Sequence, residues 1–179
     1  MIATPRLVLR PWREDDKPAF AEIINTPAMM EHFGGMTVRE ALDALIDMQV
    51  AKQARDGHCM WAVEDRGDGA LIGICGVRIA DHYIDLPISG DLEIGWRVAE
   101  PFWGKGIARE AAQASIAWGW ANTAAPRIAA WTTIENTRSW GLMERLGMKR
   151  RVDLDFVHPR FEPDDPFGAM IVYAIDRPA

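Results

Sequence analysis

The chain has 179 residues, 49% hydrophobic and 26% charged, which excludes a disordered or fibrous protein and is typical of one globular domain. Lysine and arginine number 20 against 26 aspartates and glutamates, and the net charge of −6 disfavours general binding to nucleic acid or to anionic membranes. Two cysteines without a CxxC pair indicate neither a disulfide framework nor a zinc site. No apolar segment reaches the ~18 residues of a membrane span, and the N-terminus lacks a signal-peptide pattern, so we expect a cytoplasmic protein.

The first half of the chain combines helical and strand-like periodicity. Pro27 is expected to break the first helix, and Thr37 with Glu40 has the spacing of a capping box that starts the second. The predicted elements are a strand over residues 6–10, a helix over 14–25, a helix from Thr37 to about Arg55, and strands over 59–64 and 70–80 joined by a turn.

In the second half, helices follow strands. The predicted elements are strands over 92–98 and 127–133, helices over 106–121 and 136–146, and two final strands over 148–156 and 169–175. This order predicts an α+β fold with a mixed sheet covered by helices on both faces.

A glycine-rich turn joins the strand at 92–98 to the following helix. Gly104 and Gly106 allow close approach of a ligand, and the first amides of the helix have no partner within it. This arrangement predicts an anion site suited to a pyrophosphate. It is not a Walker loop, because Gly106 follows Lys105, and it is not the dinucleotide fingerprint, because position 109 is Arg.

These residues resemble a known family. Leu92–Trp96, Pro101 and Trp103–Ala108 are similar to the acetyl-CoA motif of the GNAT superfamily of N-acetyltransferases, with Trp103 at the usual Gln/Arg position. That departure is common in the RimJ/RimL-like branch, which acetylates the N-termini of ribosomal proteins. Thr4–Trp12 and Asn136–Met148 resemble two further motifs of that branch, so the resemblance covers a single domain over residues 4–176.

The resemblance implies a GNAT-like acyl-CoA N-acyltransferase fold with acetyl-CoA as co-substrate and no metal. The pantetheine arm is then expected between the separating strands at 92–98 and 127–133, with the diphosphate on the amides of 104–109. Implied partners are acetyl-CoA and an amine acceptor, without nucleic acid or membrane, for a monomer or homodimer. The residues expected to bind acetyl-CoA are Trp96, Arg97, Val98, Trp103, Gly104, Lys105, Gly106, Ile107, Ala108, Arg109, Asn136 and Ser139.

Protonation of the leaving thiolate is assigned by the same resemblance. Many GNAT enzymes use a tyrosine, but Met143 stands at the matching position. In the RimL-like branch a serine takes this role, which points to Ser139. The alternative is that Ser139 only caps the first turn of its helix, and Asn136 could cap that helix or bind the pantetheine amide.

Glu93 is the candidate general base. Strand alternation puts Glu93, Gly95 and Arg97 on one face, and a carboxylate among tryptophans can act directly or through water. The alternative is an ordinary exposed carboxylate paired with Arg97. Other polar residues with weaker claims, none at metal-ligand spacing, are Glu31, His32, His58, His82, Glu135, Asp155 and His158.

The expected activity is transfer of an acetyl group from acetyl-CoA to a primary amine, by direct attack in a ternary complex. An α-amino group is favoured because its pKa of 7.7–8.0, against 10.4 for lysine, makes the neutral form roughly 3.4 kcal/mol more accessible near pH 7. One alternative is a non-catalytic acyl-CoA binding or sensing module on the same fold. Another is an NAD- or nucleotide-binding protein, which the failed fingerprints disfavour.

Overall fold

The computed structural model describes residues 1–81, 83–162, 164–165 and 167–178. The strands are β1 (Ile2–Ala3), β2 (Leu7–Arg10), β3 (Met60–Asp65), β4 (Leu71–Ile79), β5 (Leu92–Val98), β6 (Arg127–Thr132), β7 (Lys149–Arg150), β8 (Phe156–Val157) and β9 (Ala169–Asp176). The α-helices are α1 (Asp16–Ile24), α2 (Pro27–Met30), α3 (Arg39–Asp56), α4 (Ile107–Asn122) and α5 (Thr137–Arg145), and two short 3₁₀ helices cover Glu100–Phe102 and Val152–Leu154. Among the described residues, no helix is both long enough and apolar enough to span a membrane.

Most predicted elements are confirmed, and the predicted capping box is wrong. Val38, not Thr37, precedes α3, and no side chain caps that helix. The reason is that the side-chain amide of Asn25 makes both main-chain hydrogen bonds of Thr37. Its Nδ2 donates to the Thr37 carbonyl at 2.7 Å, and its Oδ1 accepts from the Thr37 N–H at 3.0 Å, the donor that a capping box would direct to Glu40. The predicted end of the first helix before Pro27 is confirmed, since α1 ends at Ile24. Pro27 then begins α2, where its missing N–H costs nothing.

The predicted strand over 148–156 is also wrong. The segment divides into β7, a 3₁₀ turn and β8. Asp155 explains the interruption, because its Oδ1 accepts the Val172 N–H at 3.0 Å, a main-chain donor that a continuous strand would pair with a carbonyl. The guanidinium of Arg150 holds the same carboxylate at 2.6 Å and stabilises the turn.

The chain divides into two compact units, the first comprising Met1–Arg78 and Ile94–Trp118. Its strands lie in the order β1–β2–β3–β4–β5, with antiparallel pairing from β1 through β4. Close packing positions β5 here: a Cβ added to Gly73 would lie 2.3 Å from the carbonyl oxygen of Arg97. Buried side chains of the helices complete this core, namely Phe20, Ile24, Leu42, Ile46, Ala111 and Ala112.

The second unit comprises Ile79–Glu93 and the chain from Gly119 onward. In it β9 pairs antiparallel with β6, β7 and β8, while the first two residues of β5 pair parallel with β6, as Leu92↔Ile128 and Glu93↔Ala129. Its core contains Ala80, Ile88, Ala129, Leu154, Val172 and Ala174. The architecture is α+β with parallel and antiparallel pairing, as predicted, and a single domain over 4–176 stays a prediction.

Candidate functional site: an exposed glycine turn and a buried carboxylate

The turn that opens α4 presents its main chain to solvent. Gly104 and Gly106 have φ of 71° and 75°, in the left-handed region that favours glycine, and residues 104–106 are exposed. Before the turn, the indole Nε1 of Trp103 donates to the Val98 carbonyl at 2.5 Å, which ties the end of β5 to the turn. The predicted glycine turn is therefore present and open.

An ionic network that the sequence did not reveal holds this turn in place. Glu110, in the first turn of α4, accepts from the Thr4 hydroxyl at 2.6 Å and from the Arg6 main-chain N–H at 2.9 Å. Arg6 Nε donates to its other carboxylate oxygen at 2.6 Å, while Nη1 donates to the Lys105 carbonyl at 2.8 Å. Burial raises the pKa of Glu110, but hydrogen bonds from Thr4 and Arg6 outweigh it and hold that pKa below its ordinary value. Only folding brings these groups together, since Arg6 and Glu110 are 104 residues apart in the chain.

The chemistry of this turn fits a diphosphate. The first amides of a 16-residue helix and two exposed glycines meet the guanidinium of Arg6, and a Cβ on Gly106 would lie 3.6 Å from its Nη2. Lys105 and Arg109 are exposed beside it, whereas the side chain of Ile107 is buried and anchors the helix. Of the predicted residues 104–109, the main chain and the side chains of Lys105 and Arg109 can contact an anion. Arg6, which the sequence analysis did not select, adds a third cation.

The end of β5 lies on the same unit as the turn. The guanidinium carbon of Arg97 lies 3.9 Å from the centre of the Phe33 ring, a cation–π contact. Val98 is buried and Trp96 is half-buried. A Cβ on Gly95 would lie 2.5 Å from Met60 Cε, so only glycine fits there without displacement.

Glu93 is buried in the second unit. It is 3% exposed, which overturns the alternative of an ordinary exposed carboxylate. His158, 7% exposed, interacts electrostatically with it, and its Nδ1 accepts the Arg160 main-chain N–H at 3.1 Å. Burial first, then the charge of Arg160, lower the pKa of His158, and the Glu93 carboxylate opposes them. The imidazole is therefore neutral near pH 7, with its proton on Nε2.

The start of α5 shows which side chain caps this helix. Asn136 is the cap, and its Oδ1 accepts the Ser139 main-chain N–H at 3.2 Å. The cap therefore uses the main chain of Ser139 and does not require its hydroxyl. Met143 is buried in the same unit, and its thioether has no proton to donate.

Two of the polar residues with weaker claims, His58 and Asp155, make contacts that stabilise the fold. His58 is buried with Nδ1 2.9 Å from the Val77 carbonyl, Asp155 holds Arg150, and His82 lies outside the described residues. Over the part of the chain that the structure describes, no group of three or more His, Cys, Asp and Glu side chains could hold a metal ion.

Comparison with known proteins identifies the family. Residues 6–149 match the family model of the acetyltransferase (GNAT) domain. Among curated proteins, the chain is 26% identical over 151 residues to the uncharacterized protein YkkB of Bacillus subtilis, covering 82% of this chain and 84% of YkkB. It is 29% identical over 152 residues to the uncharacterized N-acetyltransferase YnaD of the same organism, covering 83% and 82%.

Solved structures share the fold. The GNAT-family acetyltransferase of Bacillus anthracis is 26% identical, with a TM-score of 0.76 and 98% of each chain covered. RimL, a ribosomal L7/L12 α-N-protein acetyltransferase solved with coenzyme A, is 18% identical at a TM-score of 0.74, covering 97% of this chain and 95% of that one. Spermidine N-acetyltransferase of Vibrio cholerae, solved with CoA and spermine, is 19% identical at a TM-score of 0.71 and covers 97% of each chain. With its mixed, mostly antiparallel sheet flanked by helices, the chain belongs to the GNAT acetyltransferase family, and the protein is an acetyl-CoA-dependent acetyltransferase.

Proposed function

We propose that the protein transfers the acetyl group of acetyl-CoA to a primary α-amino group of a protein, peptide or small molecule, as an enzyme of the RimJ/RimL-like branch. The observation that carries the proposal is the exposed Gly104–Gly106 turn at the start of α4, held beside the Arg6 guanidinium by Glu110. It presents unpaired amides and positive charge to a diphosphate.

The proposed roles follow the chemistry of acyl transfer in a ternary complex. The amine nitrogen attacks the thioester carbonyl carbon, the new C–N bond forms, and the C–S bond breaks. A main-chain amide of Trp96–Val98 stabilises the developing oxyanion, an interaction worth about 3 kcal/mol in other acyl-transfer enzymes. Trp103, Lys105–Arg109 and Asn136 are proposed to bind the CoA moiety and take no part in the acyl transfer itself.

Two side chains are proposed to move protons. Glu93 takes the proton that the amine loses, because it is a carboxylate in a buried environment that strengthens its interaction with an amine. Ser139 donates or relays a proton to the leaving thiolate, and the helix cap leaves its hydroxyl available for this, since Asn136 supplies the capping oxygen.

The α-amino acceptor is proposed because an α-amine loses its proton more easily than a lysine side chain does. Making a neutral lysine side chain near pH 7 costs roughly 3.4 kcal/mol more than making a neutral α-amine, and a site with one carboxylate base suits the easier substrate. Relatives of the same fold act on different amines, since RimL is named for an α-amino group and the Vibrio cholerae enzyme for spermidine. The fold therefore does not choose between them.

We further propose a cytoplasmic location. Cys59 and Cys75 are buried free cysteines, and burial raises the pKa of each thiol to about 12. The proposal follows from their lack of pairing with each other, since disulfides are common in oxidising compartments and rare in the cytoplasm.

The test measures thiol release from acetyl-CoA. The acceptors are a peptide with a free N-terminus and its N-blocked twin containing one lysine, compared by initial rate from about pH 6 to about pH 9. Faster acetylation of the free N-terminus is expected. Faster acetylation of the blocked peptide contradicts the α-amino assignment, and tight acetyl-CoA binding without turnover of any amine supports the non-catalytic acyl-CoA module instead.

A further inference from the structure

Met60 is the first residue of β3, and two side chains of the first unit hold its main chain. The indole Nε1 of Trp12 donates to the Met60 carbonyl at 2.7 Å, and the Met60 N–H donates to Oε1 of Gln49 at 2.9 Å. Trp12 and Gln49 are buried, so water does not compete for either hydrogen bond. The position from which the Met60 side chain starts is therefore fixed.

The side chain of Met60 reaches β5. β4 lies between β3 and β5, and the residue of β4 opposite Met60 is Gly76. A Cβ on Gly76 would lie 2.8 Å from Met60 Cα, so no side chain at that position blocks the way. The thioether ends on Gly95 of β5, where an added Cβ would lie 2.5 Å from Cε and 3.1 Å from Sδ of Met60. Glycines in two successive strands thus leave room for one methionine side chain.

This contact lies where β5 becomes accessible. Gly95, Trp96 and Arg97 are half-buried, whereas Ile94 before them and Val98 after them are buried. The main-chain amide proposed to stabilise the oxyanion belongs to the same stretch, residues 96–98. The methyl group of the thioether therefore stands beside the part of the strand where the acyl group is proposed to react. A thioether is apolar, so it fills space there without competing strongly for hydrogen bonds.

We propose that Met60 is a specificity-determining residue that limits the acyl donor to short acyl groups, with acetyl preferred over propionyl and butyryl. The inference rests on the proposed function and deepens it, because it assigns the size limit of the transferred group to one side chain. The Met60 methyl group takes the space beside Gly95 that the additional CH₂ groups of a longer acyl chain require. Forcing extra methylenes into a filled apolar site displaces side chains from their favoured rotamers, and the fixed main chain of Met60 does not withdraw.

The experiment compares kcat/KM for acetyl-CoA, propionyl-CoA and butyryl-CoA at one saturating amine, so the ratio between donors does not depend on which acceptor is used. We expect the wild type to prefer acetyl-CoA over butyryl-CoA by at least about tenfold. Met60→Ala removes the thioether and is expected to raise the butyryl-to-acetyl ratio at least about tenfold. Met60→Leu has a similar volume and is expected to keep the ratio within about twofold.

Two further variants control for packing. Met60→Val loses less volume than Met60→Ala, and we expect it to shift the donor ratio in the same direction by a smaller factor. Met148→Ala is the matched control, since Met148 is also a buried methionine, 4% exposed, and belongs to the second unit. It is expected to lower stability and to leave the donor ratio within about twofold.

The outcomes separate the inference from the proposed function. Wild-type turnover with an unchanged donor ratio in both Met60→Ala and Met60→Val overturns the inference alone, because a purely structural role lowers the rates with all donors equally. Equal kcat/KM of the wild type for acetyl-CoA and butyryl-CoA, or an equal shift of the ratio in Met148→Ala, overturns it as well. Absence of wild-type turnover of acetyl-CoA with a free N-terminal peptide, its N-blocked lysine twin and spermidine overturns the proposed function and the inference with it. Thermal melting of each variant shows whether a loss comes from unfolding.

Discussion

Replacing Gly106 tests the assignment of the diphosphate to the turn before α4. Gly106 has φ of 75°, where a β-branched side chain costs about 2 kcal/mol. Packing adds little, because the nearest atom to an added Cβ is Arg6 Nη2 at 3.6 Å, an ordinary van der Waals distance. At about 2–4 °C per kcal/mol for a chain of this size, Gly106→Val is expected to lower Tm by about 4–8 °C and to leave the protein folded at 25 °C.

The matched control separates backbone strain from lost binding. Gly69 has the same φ of 75° and nothing within 4 Å of an added Cβ, but it lies in the β3–β4 turn. Gly69→Val is therefore expected to lose a similar amount of stability and to bind acetyl-CoA as the wild type does. Gly106→Val places two methyl groups over the helix amides and is expected to lose about 10- to 30-fold in affinity, since a helix N-terminus contributes up to about 2 kcal/mol to anion binding and each tenfold is about 1.36 kcal/mol.

Calorimetric titration of acetyl-CoA below the lowest Tm measures both variants. Wild-type affinity in Gly106→Val refutes the placement of the diphosphate on this turn. An equal loss of affinity in Gly69→Val attributes the effect to general destabilisation and refutes the reasoning as well.

Ser139, Glu93 and Glu110 support three further tests. Ser139→Ala is expected to lower kcat at least about tenfold while changing the Kd of acetyl-CoA less than about twofold. The control is Thr137→Ala, since Thr137 is exposed on the same helix. A wild-type kcat in Ser139→Ala contradicts the proton-donor role. Glu93→Gln is expected to lower kcat/KM by about 100-fold, and a wild-type kcat/KM in this variant would exclude Glu93 as the base. Burial raises the pKa of Glu110, but the hydrogen bonds from Thr4 and Arg6 outweigh burial and bring the pKa below the ordinary 4.5. Its contribution to stability is therefore present above pH 4.5 and disappears as the pH falls through the lowered value. The stability advantage over Glu110→Gln, measured by denaturant unfolding, should therefore narrow below pH 4.5, and a constant difference would show that the hydrogen bonds do not depend on the charge.

Local patterns were sufficient for the elements that carry the family motifs. The strand at 92–98 is confirmed residue for residue, and the helix after Gly106 begins where the glycine turn predicts, because alternation and positive-φ glycines are properties of neighbouring residues. Local patterns failed where a distant group competes. The Asn25 side chain hydrogen-bonds to the main chain of Thr37. The Asp155 carboxylate accepts the Val172 N–H, which a neighbouring strand would otherwise bind.

The sequence by itself determined the family, the fold class and the glycine turn. Each of these depends on short motifs of neighbouring residues and on the order of those motifs along the chain. Only the tertiary structure decided the environment of the proposed functional groups. The ion pair of Arg6 with Glu110 joins residues 104 positions apart, and the burial of Glu93 depends on its register with β6. Alternation assigned Glu93 to a face but could not tell whether that face was covered, because covering it requires elements that come later in the chain. The same long-range packing places the Met60 thioether on Gly95, a contact that no single stretch of sequence expresses.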